Sequence, residues 1–321
     1  MKKQRVIGLF DSGVGGLTVM KEILEQLLDV RIVYFGDTAR VPYGNRTREE
    51  LIRFGEEIVT FLIGQGAEVI VVACNTSSAT ALPVLRERFD IPMIGMVEPG
   101  ARLAVEKTIA GRIGLIATET TVRSKAYSSG VSRALAKGSI PEDAELRGAW
   151  QQGEQAISVV KAQGCPLFVP LIEAGLANSA EARGIANTYL APLKDAGVDA
   201  LILGCTHYPF LEPVIREILG EDVVIIDPAL AVVQELELML EQMDEREKAG
   251  LVGKARNEGQ AEKAESPGNI GLAAAPSALV LGKGHWRTRY FVSGDPGLFR
   301  QVGNTLLQEQ IDLVEQVTLG D

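Results

Sequence analysis

Two stretches of this chain follow the same plan 131 residues apart. "GAEVIVVACNTSSATALPVLRERFDIPMIGMVEP" begins at Gly66 and "GVDALILGCTHYPFLEPVIREILGEDVVIIDPA" at Gly197, so Gly66 meets Gly197, Glu68 meets Asp199 and Cys74 meets Cys205. A two-residue adjustment then sets Glu98-Pro99 against Asp227-Pro228. Upstream, "RVIGLFDSGVG" from Arg5 matches "GRIGLIATETT" from Gly111 around a shared Ile-Gly-Leu. Self-similarity over so long a period is a duplicated domain, not a short solenoid repeat. Whatever one copy folds into, the other must fold into as well.

Within each copy, short Val/Ile-rich runs alternate with helical periodicity, the pattern of βα units on a mostly parallel sheet. "RVIGLFDSG", "VRIVYFGDT", "VIVV" and "IPMIGMVEP" read as strands, and "GLTVMKEILEQLL" and "REELIRFGEEIVTFLIGQG" as helices. A loop is expected at Cys74–Thr76, followed by a helix. At 321 residues the chain has the length of two domains. The first is expected to comprise 1–98 and 229–321, the second 99–228. The return begins with the helix "ALAVVQELELMLEQM" and closes with a strand, an Asp-Pro-Gly turn and a helix in "RYFVSGDPGLFRQVGNTLL". Residues 244–277 have almost no large apolar side chains and are expected to be a polar insertion, mobile or a solvated helix.

The net charge of −10, with no basic stripe interleaved with aromatics, argues against a nucleic-acid groove. Three cysteines, two histidines and no CxxC support neither a disulfide framework nor a zinc site. No run approaches the roughly 18 apolar residues of a membrane span. The start, "MKKQRVIGLFDSG", is interrupted by Asp11 and does not make a signal peptide. A cytosolic protein is expected.

In open α/β sheets, ligands bind beyond the carboxyl ends of the strands. Asp11-Ser12, Asp37 through Tyr43-Gly44, Cys74-Asn75-Thr76, Thr118 through Thr121, and Cys205-Thr206-His207 all fall at such ends. If the two domains face each other, Cys74 and Cys205 stand on opposite walls of one cleft. Opposed thiols suit the inversion of a stereocentre, which needs a base on one face and an acid on the other. A thiol ionises near enough to neutrality, at about 8.5, for its neighbours to tune it. Asp11 and His207 are placed to serve as proton partners or orienting groups. Asn75, Thr76, Thr118, Thr120, Thr121 and Thr206 offer neutral donors for carboxylates, although helix capping would account equally well for any one threonine.

A lone buried cysteine is commonly a small apolar residue, and Cys165 in "QGCPLF" keeps that reading. His285 is read as a surface or packing residue. "DSGVGGLT" lacks the third glycine of a dinucleotide fingerprint, and GxxxxGK[ST] is absent, so no clear cofactor signature is found and no cofactor is expected. The plainer reading is a Gly-rich turn presenting backbone amides at a helix N-terminus to an anion.

Taken together, "GLFDSGVGGLTV", "YFGDTARVPYG", "VVACNTSSA", "IGMVEPG", "IGLIATETTVRS", "PLFVPLIEAG", "LILGCTHYP" and "FVSGDP" resemble the cofactor-independent glutamate racemases over nearly the whole chain. The resemblance implies two α/β domains related by a pseudo-twofold axis, with free glutamate buried between them. It implies that Cys74 acts on the D-glutamate face and Cys205 on the L face. It makes Asp11 and His207 their helpers and Asp37 and Glu173 further polar contributors. Substrate contacts carry over to Asp11, Ser12, Tyr43, Gly44, Asn75, Thr76, Thr118, Thr121, Thr206 and His207. It further implies a homodimer and D-glutamate for peptidoglycan, and some members also inhibit DNA gyrase. The stretch 128–160 and the segment 244–277 look longer than is usual in that family. The alternatives are a racemase for another acid such as aspartate, and a non-catalytic binding protein. The presence of both cysteines, Asp11 and His207 favours an enzyme.

Overall fold

The computed structural model describes residues 4–249 and 287–320. In chain order the elements are β1 (Arg5–Asp11), α1 (Leu17–Gln26), β2 (Val30–Gly36), α2 (Arg48–Gly64), β3 (Val69–Val72), α3 (Asn75–Thr80), α4 (Leu82–Arg88), β4 (Met93–Gly95) and α5 (Val97–Lys107). There follow β5 (Arg112–Ala117), α6 (Glu119–Ser124), α7 (Ala126–Ala136), α8 (Ala144–Gln151), β6 (Ser158–Gly164), α9 (Phe168–Glu173) and α10 (Ala180–Asp195). The chain continues through β7 (Ala200–Gly204), α11 (Glu212–Leu219), β8 (Val224–Ile226), α12 (Pro228–Lys248), β9 (Thr288–Val292), α13 (Pro296–Leu307) and β10 (Val314–Gln316).

The strands form two sheets, ordered β10-β9-β2-β1-β3-β4 and β6-β5-β7-β8. Every pairing is parallel. The duplication is therefore visible in the topology. The order β2-β1-β3-β4 in the first sheet repeats as β6-β5-β7-β8 in the second, and β9 and β10 extend the first beyond β2. Both faces of each sheet are covered, as parallel sheets require. Ile7, Leu9, Ile32, Tyr34, Val69 and Val71 face one core of the first sheet, while Phe10, Val33, Phe35, Ile70 and Val72 face the other. Two further cores flank the second sheet. Helix α12 packs on α5 and α1, and its Ala229, Val232, Val233 and Leu236 join a core of the first sheet.

Several local expectations change. Asn75 and Thr76 are not in a loop: Cys74 is the N-cap and Asn75 already the first residue of α3, so strand passes almost directly into helix. The fourth strand stops at Gly95, and Val97 to Lys107 is helical, with Pro99 in the first turn where its missing N–H costs nothing. Helix α12 runs five residues into the segment expected to be an insertion. Asp244 and Glu247 accept hydrogen bonds from the buried Arg5 at 2.6 and 2.8 Å, which ties that end of the helix to β1. Residues 250–277, and His285, lie outside the described residues. The long stretch 128–160 holds most of α7, all of α8 and the start of β6.

Candidate active site

Side chains alternate along a strand, so residues two apart share a face. Ile70 and Val72 of β3 point into one core, and Cys74 continues that row. Leu201 and Leu203 of β7 do the same in the second copy, and Cys205 continues theirs. Both thiols thus leave equivalent strands in the same phase, at the carboxyl ends of the sheets. Each is nearly enclosed, with 5% exposure for Cys74 and 8% for Cys205.

Asp11, at the end of β1, links the two halves. It is fully buried; Oδ2 accepts from the Gly13 N–H at 2.9 Å, and Oδ1 accepts from the Thr206 hydroxyl at 3.3 Å. Burial raises its pKa, opposed by the charge of His207 and by these hydrogen bonds. Thr18 adds a second crossing, since its hydroxyl donates to the Gly15 carbonyl at 2.9 Å and the Thr206 carbonyl at 3.2 Å.

The two thiols have partners of opposite sign. Burial pushes the Cys74 thiol up to about 12; the negative charges of Asp11 and Cys205 add to this, and the Ser77 N–H and hydroxyl oppose it. Cys205 instead faces an imidazole, with Sγ 3.8 Å from His207 Nδ1, while His207 Nε2 lies 2.9 Å from Glu173 Oε1. Burial works against a charged His207, but the bonds to Cys205 and Glu173 outweigh it and raise the pKa to about 10. At neutral pH His207 is therefore an imidazolium donating to a sulfur on one side and a carboxylate on the other.

A third group supplies neutral donors. The hydroxyls of Thr76, Thr118 and Thr121 lie within 2.9–3.3 Å of one another, across the two halves. The loop carrying Tyr43 and Gly44 also spans the halves, because Thr120 donates to the Gly44 carbonyl at 2.6 Å. Ser12 is half-buried in the turn after β1. Asp37 lies apart from the thiols' immediate partners. It is fully buried, bound by the Tyr43 hydroxyl, by Arg40 Nε at 2.9 Å and by the Ser293 hydroxyl at 2.7 Å, so it acts on the Tyr43-Gly44 loop. Cys165 is buried in the core of the second sheet, as expected of a small apolar residue.

Two contributors escape the sequence reading. Ser293 stands in the quoted "FVSGDP", but nothing local tells that its hydroxyl reaches Asp37, 256 residues away in the chain. Tyr127 donates to Asn75 Oδ1 at 2.6 Å from the other half, and its sequence context, "RSKAYSSG", carries no signal of that contact.

The Asp/Glu/Hydantoin racemase family model matches residues 7–236. A glutamate racemase of Desulforudis audaxviator is 41% identical, covering 98% of this chain and 97% of its own. Among solved structures, the glutamate racemase of Thermus thermophilus in complex with β-chloro-D-alanine superposes with a TM-score of 0.71 at 37% identity, covering 98% and 97% of the two chains. That of Francisella tularensis in complex with D-glutamate gives 0.72 at 30% identity, covering 98% of each. With both thiols, their partners and the repeated sheet order in place, these likenesses show that the chain belongs to the Asp/Glu/Hydantoin racemase family and, within it, to the glutamate racemases.

Proposed function

We propose that this protein interconverts L- and D-glutamate by proton transfer between two thiols, and that the D-glutamate serves peptidoglycan synthesis. The observation that carries the reading is the equivalence of Cys74 and Cys205, set in the same phase at the ends of β3 and β7 and joined through the Asp11–Thr206 contact. From L-glutamate, a Cys205 thiolate takes the Cα proton, and the electron pair left on carbon spreads into the α-carboxylate. The Cys74 thiol then delivers its proton to the opposite face, leaving D-glutamate, a Cys205 thiol and a Cys74 thiolate. The reverse direction exchanges the roles. A Cys74 held protonated by its surroundings suits the acid role in the first direction. The substrate's ammonium brings a positive charge beside Asp11 that favours a Cys74 thiolate in the second.

His207 and Asp11 hold the proton inventory on the two sides, with Glu173 fixing the imidazole ring. Ser12, Tyr43, Gly44, Asn75, Thr76, Thr118, Thr121 and Thr206 are assigned to the ammonium and the two carboxylates, and Asp37 to support of the Tyr43-Gly44 loop. The family likeness also supports a homodimer, which sedimentation velocity tests. No described helix is long and apolar enough to cross a membrane.

Circular dichroism of L-glutamate with the purified protein in D₂O tests the reaction. Loss of optical activity is expected, with solvent deuterium at Cα of the product from the first turnover. Cys74→Ser and Cys205→Ser are each expected to lose about 10²- to 10⁴-fold in rate. A folded wild-type protein that racemises aspartate but not glutamate would overturn the substrate assignment. A Cys→Ser variant retaining full activity would overturn the two-thiol mechanism.

A further inference from the structure

We propose that Tyr127 is a positioning residue, whose hydroxyl sets the orientation of the Asn75 amide and so makes Asn75 a hydrogen-bond donor to an anionic group of the substrate. The inference rests on the glutamate reading only in naming that group a carboxylate. Tyr127 stands in the first turn of α7 and Asn75 opens α3, so the contact joins the two halves of the molecule. The phenol donates to Asn75 Oδ1 at 2.6 Å. A side-chain amide has one acceptor atom and one donor atom of nearly the same shape, so its orientation is decided by its partners. A phenol O–H directed at it selects the oxygen.

With Oδ1 taken, Nδ2 is the end left for a ligand. It is buried and has no hydrogen-bond partner among the described residues. A buried donor without an acceptor is unfavourable, and such a group at a ligand site marks where an acceptor is to come. Asn75 follows Cys74 directly and precedes Thr76, whose hydroxyl meets those of Thr118 and Thr121. An anion there finds donors; an ammonium group finds the amide oxygen already engaged.

The tyrosine is itself held firmly. Its ring is fully buried, and a Cβ at Gly100 would already touch Cε1 at 3.4 Å. One turn along, a Cβ at Gly130 would lie only 2.9 Å from that of Ala101, so α7 packs closely on α5 beside the tyrosine.

The test compares Tyr127→Phe, Asn75→Ala and the double variant. Tyr127→Phe is expected to raise KM for glutamate about three- to tenfold, the loss of one oriented hydrogen bond, with kcat within about twofold. Because Tyr127 acts through Asn75, the double variant is expected to match Asn75→Ala alone. In a second arm, without substrate, the protein is labelled with ¹⁵N-asparagine and the Asn75 side-chain signals are assigned by their loss in Asn75→Ala. In Tyr127→Phe those signals are expected to shift and to exchange faster with water. Unchanged signals, an unchanged KM, or additive effects in the double variant would each overturn the inference while leaving the racemase reading intact. If the wild type does not turn over glutamate, that reading fails, and the spectra alone decide whether Tyr127 orients the amide.

Discussion

At the scale of single residues, the site depends on how closely the two halves approach. Gly15 lies against Thr206 and His207, and a Cβ there would fall inside the radii of Thr206 Oγ1 and His207 Nδ1. Gly15→Ala is therefore expected to cost about 1–3 kcal/mol in the closed arrangement. It should lower kcat/KM about 10- to 100-fold, measured against an unfolding midpoint that moves far less than the activity. The pH dependence centres on His207. Its folded pKa, about 10, lies above the ordinary 6.5. The stability it contributes is thus complete below about pH 6.5 and is lost as pH rises through about 10. Denaturant titrations of wild type and His207→Gln should show a constant difference in acid and a shrinking one from neutrality to pH 10. A difference that grows with pH would contradict the imidazolium assignment. Cys74 and Cys205 could be picked out in the sequence because the repeat aligns them, and Asp11 and His207 because they fall at strand ends next to the cysteines; the orphaned Nδ2 of Asn75 could not, because only folding brings Tyr127 to it.

At the scale of elements, a loop from one end of the chain is held by a strand from the other. Ser293, just past β9, donates to Asp37 at 2.7 Å and accepts from the Ala39 N–H at 2.9 Å, and Gly294 donates to Thr38. Ser293→Ala leaves the buried Asp37 short of a donor, at a cost of about 1–3 kcal/mol. The expected signature is a several-fold rise in KM for glutamate with little change in the first-turnover deuterium labelling. The start of α2 is a purely local device by comparison. Thr47 and Glu50 form a reciprocal capping box in "RTREE", and Thr47→Ala should lower stability by about 1 kcal/mol in thermal unfolding without touching the kinetics. Strands β6 and β10 escaped the reading for a physical reason. β6 lies at a sheet edge with mostly half-exposed residues, and β10 has only three, so neither carries the apolar pattern of a buried strand.

At the scale of the whole molecule, catalysis and access are in tension. Both thiols are more than nine-tenths buried, so a reagent reaches them only after the surrounding structure opens. Iodoacetamide should therefore alkylate both Cys74 and Cys205 at least about 100-fold more slowly than a free cysteine, and D-glutamate should protect both. Prompt modification of one thiol alone would contradict a shared closed cleft. What the sequence by itself determined is the part written into local periodicity and repetition. The alternation of side chains fixed the phase of Cys74 and Cys205, and the repeat brought a glycine in each copy to the same tight place. Gly8 lies against Ile70 and Ala67, and Gly114 against their counterparts Leu201 and Val198, with a Cβ at either reaching its nearest neighbour at 2.8 Å. What only the tertiary structure decided is which residues distant in the chain meet: Thr206 with Asp11 and Tyr127 with Asn75 between the copies, Glu173 with His207 within the second, and Ser293 with Asp37 from the far end of the chain. Those contacts depend on directed hydrogen bonds between residues distant in sequence, and a linear pattern of apolar and polar residues carries no record of direction.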